Sequence, residues 1–94
     1  MVPHNKPSFD SREARAISKV LKSGWVIAGK EVSTLERAVA KLTKKKFALA
    51  TNSGHAALHL SLLALGVRKG DEVIVPAYAP SDLLNAVFYV QARP

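Results

Sequence analysis

The chain has no cysteine, which excludes disulfides, thiolate metal sites and a thiol nucleophile. Aromatic residues are scarce, at 6%, and none interleave with basic residues as base-stacking platforms require. No apolar run approaches the ~18–20 residues of a membrane-spanning helix. Met1–Arg15 has charges but no hydrophobic stretch behind them, so no secretory leader is expected. Acidic residues are also few: seven Asp and Glu against fourteen Lys and Arg, a formal net charge of +7. Apolar residues are abundant, at 48%, too many for a disordered tail. The expectation is a soluble, cytoplasmic-type chain with no membrane partner. At 94 residues it should bury only roughly 60–65% of its unfolded surface, so the core will be modest.

The basic excess lies in one half. Residues 1–46 carry eleven Lys and Arg against four acidic residues, and residues 47–94 carry three of each. Asp10 followed by Glu13 reads as a helix start, because each carboxylate can accept from a free backbone N–H. Ala14, Ile17, Val20 and Leu21 then recur at helical spacing, and Gly24 suits a left-handed stop. The loop Trp25–Gly29 leads into a second amphipathic helix over about Glu31–Lys45. Its Val32, Leu35, Val39 and Leu42 are expected to face inward.

From Phe47 the grammar changes. Residues 47–51 and 72–76 read as continuously apolar strands, 55–65 and 81–90 as helices, with Ser81 capping the second. Strand, helix, strand, helix with such strands points to a parallel sheet covered on both faces. Two strands alone would be poorly covered, and both helices are apolar around most of their surface. The chain therefore reads as the beginning of something larger.

The sharpest local feature is Thr51-Asn52-Ser53-Gly54-His55-Ala56, a strand passing through a tight turn into a helix. Such a turn should leave the Gly54, His55 and Ala56 amides unpaired at the positive end of the helix, where a phosphate can sit. An ordinary strand-to-helix turn has the same pattern, and both readings stand on these residues alone.

Taken together, the motifs resemble the DegT/DnrJ/StrS aminotransferases, pyridoxal phosphate (PLP) enzymes that aminate keto-sugars. The likeness is carried by Val20-Leu21-Lys22-Ser23-Gly24-Trp25 with Gly29, Val32 and Glu36, and by Ala50-Thr51-Asn52-Ser53-Gly54 with Ala56-Ala57-Leu58-His59-Leu60. Leu63-Ala64-Leu65-Gly66-Val67, Gly70–Pro76, Leu83–Val87 and Tyr89-Val90 extend it along the whole chain.

The resemblance implies the N-terminal part of one large domain of a fold-type-I PLP-dependent transferase: an incomplete α/β unit over residues 1–94, helical and basic in 1–46, β-α-β-α in 47–94. It implies PLP as cofactor, with Ser53, Gly54, His55, Ala56 and Tyr78 as binding residues. It implies Trp25 and Val26 in the pocket for a nucleotide-linked sugar, and a homodimer or a completing chain as partner. It supplies no catalytic residue here, because the Schiff-base Lys and the Asp that pairs with the pyridine nitrogen lie downstream in full-length relatives. The chain departs from the family at four places. His55 replaces Thr or Ser, Ala79 replaces Thr, Pro80 stands where the ring that stacks on the pyridine belongs, and Gln91 replaces Gly.

Other features have plainer readings. His55 and His59 have ligand spacing but lack a third donor and the intervening Glu of a zinc-peptidase helix, so no metal is expected. Lys44-Lys45-Lys46 and the basic first helix fit a solvated face. A basic nucleic-acid-binding protein is the weaker alternative, and a non-catalytic, self-associating or partner-binding family remnant the stronger one.

Overall fold

The computed structural model describes residues 5–94, so Met1–His4, part of the leader expectation, lie outside it. Four helices follow in order: α1 (Ser11–Ser23), α2 (Lys30–Leu42), α3 (Gly54–Ala64) and α4 (Asp82–Tyr89). Among the described residues no helix is long and apolar enough to cross a membrane.

The start of α1 is built as the sequence reading expects. The Arg12 amide donates to Asp10 Oδ1 at 2.6 Å and the Asp10 amide donates to Glu13 Oε2 at 2.8 Å, forming a reciprocal capping box. The Arg12 guanidinium, then the Arg12 amide, hold the exposed Asp10 carboxyl below its ordinary value of 3.8. A carboxyl lowered by folding stabilises the helix above the unfolded value and loses that contribution as pH falls through the folded one. Helicity over residues 11–23 should therefore drop as the pH falls below about 3.8, and Asp10→Ala should remove that drop in NMR amide shifts.

Three helices end in the same device. In α3, Gly66 is left-handed (φ 76°), its amide donates to Leu63 O and that of Val67 donates to Leu62 O. Lys44 (φ 54°) after α2 and Gln91 (φ 59°) after α4 repeat the double hydrogen bond, the Schellman motif. Only Gly adopts this conformation freely. Gln91→Gly should thus stabilise the α3–α4 unit by about 1 kcal/mol, read as a higher urea midpoint.

The β-α-β-α expectation is corrected: the described residues contain no strand. Residues 47–51 and 73–76 run outside regular secondary structure, and one parallel bridge, Glu72 to Arg93, is all the pairing present. There the Arg93 amide donates to Asp71 O and the Val73 amide to Arg93 O, while Arg93 Nη2 lies 2.9 Å from Glu72 Oε1. The physical reason is that a strand exists only through its neighbours. Segment 47–51 has none, and 72–76 meets only the last few residues of the chain.

Two further expectations fail for related reasons. Leu35, Val39 and Leu42 are exposed rather than inward, since α3 and α4 are the only helices in mutual contact among the described residues. Ser81 makes no side-chain capping bond to α4. The core is Ala86, Val87, Val90 and Ala92, flanked by half-buried Leu62, Val67, Val73 and Val75. Leu62 of α3 packs against it, which seats α3 on α4.

Candidate functional site

Ser53 opens α3 in extended conformation, and its Oγ accepts from the Ala56 amide at 3.1 Å. The expectation of three unpaired amides is thereby corrected to two. Gly54 and His55 keep free N–H groups among the described residues, whereas that of Ala56 is engaged. The Ser53 hydroxyl, accepting from Ala56, still has its proton to donate. The Thr51 hydroxyl donates to Ser53 O at 2.8 Å and stiffens the turn. A Cβ built on Gly54 would meet nothing within 4 Å, so the space beside that residue is open.

This turn faces an open groove of about 500 Å³ lined by residues 53–55, 57, 58 and 61 of the turn and α3, and by Pro80, Asp82 and Leu83. No Lys or Arg lines it. His55 Nδ1 lies 3.1 Å from Asp82 O; a carbonyl only accepts, so Nδ1 carries the hydrogen. The His55 and His59 rings both meet Tyr89 edge-on, with centroids 5.2 and 5.5 Å away. The histidine pair thus clamps α3 to α4, and no group of three potential metal ligands exists among the described residues.

The remaining named residues lie elsewhere. Tyr78 is fully exposed and does not line the groove; Pro80 does. Trp25 and Val26 belong to a separate groove of about 580 Å³ between α1 and α2, with Val20, Leu21, Ile27 and Val32. Trp25 Nε1 donates to Ala28 O at 3.4 Å, and a Cβ on Gly29 would overlap the indole. Gly29 is needed for that close approach, not for its backbone angle. The two grooves share no lining residue.

Sequence reasoning missed two groups. Glu36 Oε1 accepts from the Ala50 amide at 2.9 Å, tying α2 to the segment that leads into the turn. Tyr89 lies seven residues after Asp82, two helical turns along α4, and that spacing on one face was the available signal.

The backbone is similar to that of solved aminotransferases. The chain superposes on the protein described as "putative sugar aminotransferase Spr1654" from Streptococcus pneumoniae, in its PLP form, with a TM-score of 0.91 and 34% identity. That match covers 99% of this chain and 24% of the other. The apo form of the same protein gives a TM-score of 0.91 over 99% and 23%, again at 34% identity. An aminotransferase from Psychrobacter cryohalolentis gives a TM-score of 0.84 at 34% identity, over 96% and 24%. Residues 7–94 match the DegT/DnrJ/EryC1/StrS aminotransferase family, and the chain belongs to that family. It spans about a quarter of the length of these solved relatives.

Proposed function

We propose that these residues are the N-terminal segment of a PLP-dependent aminotransferase acting on nucleotide-linked keto-sugars, with α3 receiving the cofactor phosphate. The observation that carries this reading is the α3 N-terminus of a family member with two free amides, a free hydroxyl proton and open space beside Gly54. Ser53 Oγ and the Gly54 and His55 amides are the donors. Ala56 joins them only by sharing its hydrogen between Ser53 Oγ and a phosphate oxygen. Trp25 and Val26 wall the sugar-nucleotide pocket once the molecule is complete, and Tyr78 flanks the cofactor.

PLP, when bound, supplies the electron sink for amino-group transfer. The groove holds no lysine, so the chain binds and orients a phosphate but does not turn over alone. The Lys and the Asp belong to the part of the relatives' length that these residues do not span. The cell compartment is the cytoplasm.

The test is PLP titration of the chain, followed through the amide resonances of Gly54 and His55, then borohydride reduction and intact mass. Weak, phosphate-competable binding at those two amides with no stoichiometric lysine adduct is the expected result. A single adduct on one lysine would overturn the inactivity, and silent amides would overturn the cradle. The second reading, a non-catalytic self-associating remnant, is favoured by the many exposed apolar side chains of α1–α3.

A further inference from the structure

We infer that Glu36 is a positioning residue: its carboxylate fixes where α2, and the Trp25 groove at the start of that helix, stands relative to the Ser53–His55 turn. Assigning those two places to a sugar and a phosphate rests on the reading above; the role of Glu36 does not. Glu36 Oε1 accepts from the Ala50 amide at 2.9 Å. Among the described residues no other hydrogen bond or ion pair joins residues 5–46 to residues 47–94. Glu36 makes no ion pair there, although Arg37 and Lys46 line the same open cavity of about 220 Å³ beside Phe47. The carboxylate is directed at a backbone amide instead, a charge-assisted bond stronger than a neutral one.

The bond is one of two attachments. α2 ends at Leu42, where left-handed Lys44 (φ 54°) and the Lys45 amide, donating to Ala40 O, turn the chain. Ala50 lies beyond that end yet bonds to the middle of α2, so the chain has come back along the helix. The covalent turn alone would let α2 pivot, and a second point of attachment removes that freedom. The cavity between the two points means that close packing does not hold the pair. From Ala50 the order passes on locally. The Thr51 hydroxyl donates to Ser53 O at 2.8 Å and Ser53 Oγ accepts from the Ala56 amide at 3.1 Å, so segment, turn and α3 move together. At the other end of α2, Lys30, Glu31 and Val32 line the Trp25 groove. Neither α1 nor α2 packs on α3 or α4 among the described residues, so no helix contact duplicates the bond.

The experiment uses the full chain, 15N-labelled and weakly aligned. In the native chain the residual dipolar couplings of α2 and α3 should fit one alignment tensor, and the Ala50 amide should be protected from exchange. Glu36→Ala should keep the helical amide shifts of both helices and speed Ala50 exchange about tenfold, the loss of one hydrogen bond to a charged acceptor. It should also give α2 and α3 separate tensors, as bodies that move independently have. Glu36→Gln keeps an acceptor oxygen on a side chain of the same length and should restore the shared tensor. A residue that merely stabilised α2 would lower its helicity without splitting the tensors. A shared tensor in Glu36→Ala, separate tensors already in the native chain, or no rescue by Glu36→Gln would each overturn the role. Loss of the α2 shifts in Glu36→Ala would overturn it too, making Glu36 a residue of helix stability. None of these readouts involves a phosphate, so silent Gly54 and His55 amides in the PLP titration overturn the functional reading and not the role of Glu36.

Discussion

Sedimentation of the purified chain over a hundredfold concentration range should show reversible association, with helicity rising as the associated species forms. The accessible surface is 8589 Å², whereas a compact chain of this mass exposes roughly 5,300 Å². The radius of gyration, 17.5 Å, likewise exceeds the roughly 12 Å of a compact domain this long. The surplus of roughly 3,300 Å² is about twice the area buried in a standard stable interface. It includes Ile17, Leu21, Trp25, Val26 and Ile27 around the α1–α2 groove, Leu63 and Leu65 on α3, and Ile74, which is 100% exposed. Isolated helices of thirteen residues, the length of α1 and α2, are marginal in water, so covering their apolar stripe should order them further.

Salt decides what drives that association. With a net charge of +7, copies repel one another, and raising salt from about 20 to about 300 mM should strengthen apolar self-association by screening. Binding to nucleic acid has the opposite dependence, weakening steeply over the same range. A chain that stays monomeric at every concentration and salt would show that the exposed apolar surface is tolerated without a covering partner.

The helices were legible because their signals are local. Asp10 and Glu13 are three residues apart and need only each other's backbone, so the start of α1 follows from the sequence to the residue. Gly24 and Gly66 announce left-handed stops in the same way. Lys44 and Gln91 do so without glycine, and only the family's usual Gly at the second hinted at its backbone angle. The expected strands are absent from the described residues because a strand is not a local object. Val73-Ile74-Val75 has the composition of a buried strand, but pairing needs neighbours, and Arg93 supplies one bridge.

For the site, pattern located the turn and misjudged its wiring. Ser53-Gly54 before an apolar helix marked the N-terminal end of α3, and two free amides are there. The third was lost because a serine at an N-cap satisfies a nearby amide itself, a competition the motif does not display. Tyr78 is named by the resemblance alone; it is fully exposed, while Pro80 and Asp82 line the groove. Glu36 was matched as a family residue without a role. Its bond to the Ala50 amide spans fourteen positions, a separation at which no periodicity signals a contact.

Val87→Asp should abolish the order of α3 and α4 together while leaving α1 as it was. Val87 is 2% exposed and sits at the centre of the small core, against Val90 and Ala92 with Leu62, Val67, Val73 and Val75 around it. Its carbonyl also accepts the Ala92 amide that closes α4. An unpaired carboxylate there costs several kcal/mol, more than four buried small side chains can offset. The eleven residues of α3 and eight of α4 should then lose their helical amide shifts, and the Ser53–His55 turn its order with them, because that packing holds the two helices together. The Arg12 amide should not move, since its bond to Asp10 is local and α1 packs on no other helix among the described residues. Val87→Ala, losing only two methyl groups, should weaken the unit by about 2 kcal/mol without erasing it. Retention of the α3 and α4 shifts in Val87→Asp would mean that local propensity, rather than this core, orders the Ser53–His55 turn. The His55–Tyr89–His59 clamp would then be the next contact to remove, because it is the other side-chain link between the two helices.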